Sequence, residues 1–243
     1  MNGKILEICV DDAAGLEAAI AGGADRIELC SALSVGGLTP SRGFMALAAN
    51  APVPVYAMIR PRGGDFIFSQ GDIDTMLNDI DAVRQCGLAG VVLGVSRDDS
   101  TLDAMTLEKL IDHAEGLGTT LHRAFDLVPD FSEAVETAIA LGFERILTSG
   151  GKKTVVDGLD SLEKIVSLAA GRISIMPGAG VKVGNAASIL KRLGVDEIHS
   201  SGGIPNSGAA ARTLELGFDT TDRRITDPAT VAALKAQVSS VAN

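Results

Sequence analysis

The feature that most constrains this chain is an alternation that runs through its first two hundred residues. Eight short apolar segments recur, each followed by a stretch with helical character: Leu6–Val10, Asp25–Cys30, Pro54–Arg60, Ala89–Val95, Thr119–Phe125, Glu144–Thr148, Arg172–Met176 and Val195–His199. Each β-plus-α unit is roughly 25–35 residues long, the length of a right-handed β-α-β crossover. Parallel strands of this kind are covered on both faces, which is why they read as nearly continuous Val, Ile and Leu. Hydrophobic residues make up 46% of the chain and aromatics only 3%, so the core is aliphatic. The pattern predicts a single-domain α/β protein, a (β/α)8 TIM-like barrel, with an open doubly wound sheet as the runner-up.

The helices announce themselves by their ends. Asp11-Asp12 reads as an N-cap before the stripe Leu16, Ala19, Ile20, and Gly22-Gly23 closes that helix. Pro40 opens a helix to about Asn50, Asp72 caps one to Cys86, and another spans Met105 to Glu115. Pro129-Asp130 introduces a helix to Leu141, and further helices cover Leu159–Ala170, Ala186–Leu193 and Pro228 to about Val241. The barrel core is therefore placed in residues 1–203. Residues 204–243 form an extension and last helix of the same domain, its polar part, 204–227, placed to cover the barrel or reach a neighbouring subunit.

Composition excludes several functions. The net charge is −10 and the Lys and Arg residues are scattered, so neither nucleic acid nor an anionic membrane is an expected partner. Three Cys do not make a disulfide framework, and the N-terminus leads straight into a strand, so a cytoplasmic location is expected. No Gly-x-Gly-x-x-Gly turn follows the first strand and no Walker loop is present, so no nucleotide cofactor is expected. Gly-x-Ser-x-Gly is absent too, and no Lys lies inside a strand to serve a Schiff-base aldolase.

The chemistry should gather at the C-terminal ends of the strands. Glu7 and Cys9 are two residues apart on the first strand, and Glu28 and Cys30 on the second. Residues i and i+2 share a face, so parallel pairing would bring two carboxylates and two thiols to one wall. Later strand ends add Arg60, Arg62, His122, Arg123, Asp126, Thr148, Ser149 and His199. Glycine turns follow at Ser149-Gly150-Gly151, Gly178-Ala179-Gly180 and Ser201-Gly202-Gly203, where backbone N–H groups suit a phosphate or carboxylate.

Two readings stand. In one, the wall holds a metal through the thiols of Cys9 and Cys30, soft ligands that suit Cu(I) or Zn(II). In the other, Glu28, His122 or Asp126 transfers protons on a small anionic metabolite. Glu7, Arg60, Arg62, Arg123, Thr148, Ser149, Gly150, Gly178, Gly180 and His199 would then bind that metabolite. A structural ion network is the plainer account of the same charges, and packing the plainer account of the Cys residues.

Seven segments together resemble the CutC family, named for copper homeostasis: Glu7–Asp11, Gly23–Cys30, Gly36–Ser41, Met58–Phe66, His122–Asp126, Arg145–Gly151 and Met176–Val181. The resemblance implies a cytoplasmic TIM-like barrel that forms homo-oligomers, a dimer or a tetramer. It also implies a link to copper, with Cys9 and Cys30 as Cu(I) ligands. In one place the chain departs from the family pattern: Pro177-Gly178-Ala179-Gly180 stands where Pro-Gly-Gly-Gly is commoner. The change matters if that turn needs a positive φ at residue 179.

Overall fold

In a computed structural model describing residues 3–208 and 210–241, eight parallel strands form the inner layer. They are β1 (Ile5–Val10), β2 (Arg26–Leu29), β3 (Val55–Met58), β4 (Gly90–Leu93), β5 (Gly118–Leu121), β6 (Arg145–Thr148), β7 (Ser174–Pro177) and β8 (Glu197–Ser200). The hydrogen-bonded ladder runs β7-β6-β5-β4-β3-β2-β1-β8, and β7 lies beside β8, so the barrel is nearly closed. Helices alternate with the strands: α1 (Ala13–Ala21), α2 (Arg42–Ala48), α3 (Gln70–Cys86), α4 (Ala104–His113), α5 (Phe131–Ala140), α6 (Leu159–Ala169) and α7 (Ala186–Leu193).

Strand alternation sorts the side chains into two cores. Leu6, Ile8, Ile27, Leu29, Val91 and Leu93 face outward and pack under helix residues such as Ile80, Val83, Leu107 and Leu110. Each such aliphatic side chain contributes about 1.5–3 kcal/mol by leaving water. The residues between them point into the barrel, and there the chain spends its charges.

Several boundaries differ from those read in the sequence, each for a local reason. The fifth strand ends at Leu121, and Arg123–Leu127 is a 3-10 turn: the His122 ring accepts the Ala124 N–H and turns the chain. Helix α3 begins a turn before Asp72, because Ser69 is its N-cap and Asp72 closes a capping box onto it. Pro40 precedes α2, whose cap is Ser41.

The polar segment after β8 is built from a two-stranded antiparallel ribbon, β9 (Gly203–Pro205) with β10 (Arg224–Thr226), and the short helix α8 (Ala211–Glu215). The last helix, α9 (Pro228–Ser239), is capped by Asp227 and packs against α1 and α7. Among the described residues no helix is long and apolar enough to cross a membrane.

Candidate functional site

The wall foreseen on β1 and β2 forms. The strands pair in parallel with Cys9 opposite Glu28, and β8 pairs with β1 on its other side with His199 opposite Glu7. Glu7, Cys9, Glu28, Cys30 and His199 are all buried. Ligand atoms of Cys9, Glu28 and His199 lie within 4.8 Å of one another. Cys30 follows β2, and its Sγ donates to Glu28 Oε2 at 3.5 Å. Cys86 lies on α3, away from this group.

His199 is the hinge of the arrangement. Its Nδ1 meets Glu7 Oε1 at 2.8 Å, and its Nε2 stands 3.8 Å from Glu28 Oε2. Burial works against charge on Glu7, but Arg26 and then His199 outweigh it and hold the carboxyl down to about 2. Glu7 is therefore an acceptor, and His199 Nδ1 carries a proton toward it. Burial also opposes charge on His199, yet Glu28, Cys9 and Glu7 raise it well above the usual histidine range. Burial pushes the Glu28 carboxyl and both thiols, Cys9 and Cys30, upward.

Beneath this group lies a second charged layer that sequence reading missed. Arg26 donates to both Glu7 and Glu197. Arg145 donates to Glu197 at 3.1 Å and to Thr120 at 2.9 Å. The two guanidinium groups flank the ring of Tyr56, 5.5 and 4.8 Å from its centroid. Gly90 and Gly118 make room for that ring, since a Cβ at either would run into it. The signal was present: Arg26 shares its strand face with Glu28, and Glu197 with His199.

Above the wall the barrel opens into a cavity of about 1310 Å³ that is bordered by Cys9, Glu28, Arg60, His122, Arg123, Gly180 and His199, with Phe218 and Arg223 from the extension. His122 is 3% exposed. Its Nδ1 accepts the Ala124 N–H at 3.2 Å, so Nε2 carries the proton, and Nε2 has no partner. Burial and then the Arg60 charge push its pKa down to about 3, which leaves the ring neutral. Phe66 lies beside it, the two rings tilted by 46° with their centroids 4.7 Å apart. Arg60 directs Nη1 at the carbonyls of Val35 and Gly37 and Nη2 at Gly64, and its Nε is also unpartnered.

The remaining sequence candidates serve one another. Asp126 accepts from Arg123, Thr148 Oγ1, Ser149 and the Gly151 N–H. The first glycine turn does bind a carboxylate, and it is the chain's own. Gly150 N–H donates to Thr148 Oγ1. Arg62 is tied to Asp65 and Asp72 and stacks on Phe68, outside the residues that border the cavity. Gly178 gives up its N–H to the Thr148 carbonyl, and a Cβ there would strike Leu147. Ala179 does adopt φ 69°, the left-handed conformation that glycine favours.

Comparison with known proteins follows this geometry. Residues 4–204 match the CutC family. A CutC family protein of Sinorhizobium medicae is 57% identical over 242 residues, covering 100% of this chain and 99% of that protein. One from Caulobacter vibrioides is 57% identical over 235 residues, covering 96% of each. The crystal structure of a protein assigned to copper homeostasis, CutC of Streptococcus agalactiae, superposes with a TM-score of 0.78 at 31% identity, covering 82% of this chain and 98% of that one. A thiamine phosphate pyrophosphorylase from Pyrococcus furiosus shares the fold alone, with a TM-score of 0.59 at 17% identity over 97% and 95% of the two chains.

Proposed function

This chain belongs to the CutC family, and from that premise we propose that it takes part in copper homeostasis by holding Cu(I) inside the barrel through Cys9, His199 and Glu28. The observation that carries the reading is the convergence of a thiol, an imidazole and a carboxylate within 4.8 Å of one another, all buried. Thiolate and imidazole are donors that suit copper. Glu7 supplies the support that such a site needs: by accepting from His199 Nδ1 it turns Nε2 toward Cys9 and Glu28. Cys30, beside Glu28, is the second thiol within reach of the group. The donor set differs from a two-thiol site in giving His199 a ligand position. The streptococcal relative's assignment to copper homeostasis points the same way.

Titration with Cu(I) against a competing chromophoric chelator tests the reading. The expected result is stoichiometric binding by the natural chain, at least about tenfold weaker in Cys9→Ser and in His199→Phe, because each loses a ligand. Cys86→Ser should bind as the natural chain does. Undiminished affinity in a Cys9→Ser, Cys30→Ser double variant would overturn it.

A further inference from the structure

Among the described residues, four buried side chains leave a polar atom without a partner: Glu28 Oε1, Arg60 Nε, Ser96 Oγ and His122 Nε2. Three of those four residues border the cavity at the barrel mouth. Buried polar groups are almost always satisfied, because an unpaired one has lost its water without gaining a partner. Three residues with buried orphan atoms around one space point to a polar occupant, one that a small side-chain rotation at the cavity wall would let them reach.

The chemistry of the occupant follows from the orphans. Arg60 and His122 are 5% and 3% exposed, and neither is a member of the metal-compatible group. The His122 ring is fixed as an Nε2–H donor by the Ala124 N–H on its other nitrogen. Gly94 seats that ring, because a Cβ there would stand 2.5 Å from Nδ1. Arg60 has no carboxylate partner among the described residues. Its guanidinium is held by three backbone carbonyls and by the ring of Phe66, 4.8 Å away. Two fixed donors beside an uncompensated positive charge select an oxyanion. The third orphan, Glu28 Oε1, is an acceptor and selects a hydroxyl. The volume, about 1310 Å³, exceeds what a bare inorganic ion needs.

We propose that the mouth of the barrel binds a small hydroxylated organic anion, its carboxylate or phosphate group held by His122 Nε2–H and Arg60 Nε–H. Phe66 packs against both donors, its ring centroid 4.7 Å from that of His122 and 4.8 Å from Arg60 Cζ. The two anion donors, His122 and Arg60, lie outside the copper ligand set, and Glu28 alone is common to both sites.

Calorimetry and thermal shift on the full chain, run with a chelator present so that copper plays no part, test the proposal. The probes are D-glycerate, glycerol 3-phosphate, inorganic phosphate and neutral glycerol. The expected result is that at least one of the two organic anions binds and raises the melting temperature while glycerol does not. Preference between glycerate and glycerol 3-phosphate identifies the head group. Arg60→Lys and His122→Phe should each weaken binding at least about tenfold, the loss of a hydrogen bond to a charged group. Should either variant fail to fold, the 15N resonance of His122 Nε2 in the natural chain reads the same contact and should move on titration with the bound anion. Anions that bind no better than glycerol, binding undiminished in both variants, or a His122 Nε2 resonance that ignores the ligand would each overturn the proposal.

Discussion

Two histidines inside one barrel differ in charge because their partners differ. His199 sits among Glu7, Glu28 and Cys9 and is held protonated; His122 sits beside Phe66 and Arg60 and is held neutral. The consequence for stability has a definite sign. The folded pKa of His122, about 3, lies below the unfolded value of 6.5, so the unfolded chain binds the extra proton first. Its contribution is complete above about 6.5 and is lost as pH falls toward 3. Glu7, held at about 2 against an ordinary 4.5, loses its contribution only below about 4.5, and the raised His199 is fully favourable throughout that acid range. Urea denaturation of the natural chain and of His122→Gln, compared between about pH 6.5 and 4.5, isolates the effect. The natural chain should lose stability relative to the variant as the pH falls, and a constant difference would show that His122 titrates normally. None of this was legible in the sequence. The spacing of Glu7, Cys9, Glu28 and Cys30 placed them on one face, but the charge of His122 depends on Arg60, Phe66 and Gly94 from other segments, while its tautomer is set by its own neighbour Ala124.

At the scale of elements, the strands were readable because each is an apolar run bounded by turn residues. Most helices were readable from their caps. What failed were the junctions where a side chain competes for a backbone group. His122-Arg123-Ala124-Phe125-Asp126 reads as a strand end, yet the His122 ring takes the Ala124 N–H and starts a 3-10 turn. The turn after β7 was readable in a different way. A residue with a side chain stands at position 179 where the family pattern more often has glycine, and its φ is 69°. An L-residue there bears roughly 1 kcal/mol of strain. Ala179 is half-buried, so its methyl offers little packing to offset this. Ala179→Gly should raise stability by about 0.5–1 kcal/mol in chemical denaturation, less than the full strain because glycine also frees the unfolded chain. A loss of stability would mean that the methyl packs more than its exposure implies.

For the molecule as a whole, the barrel is an aliphatic shell around a charged interior. Arg26, Glu7, Glu197 and Arg145 neutralise one another in its lower layer. Buried pairs of this kind rarely exceed hydrophobic packing in stability, while losing one partner costs about 3–5 kcal/mol. Their value here is positional: Arg26 keeps Glu7 ionised, Glu7 orients His199, and His199 faces Cys9 and Glu28. The ladder of strands was foreseeable from periodicity, but this vertical chain was not, because its members are joined across the barrel rather than along the sequence. It leads directly to the central claim, that an imidazole and a thiolate share one copper ion. X-ray absorption at the copper edge of the Cu(I)-loaded full chain measures that shell. The expected spectrum contains sulfur scattering together with the multiple-scattering signature of imidazole, and His199→Phe removes the latter. A shell without imidazole, or one of light atoms without sulfur, would contradict it.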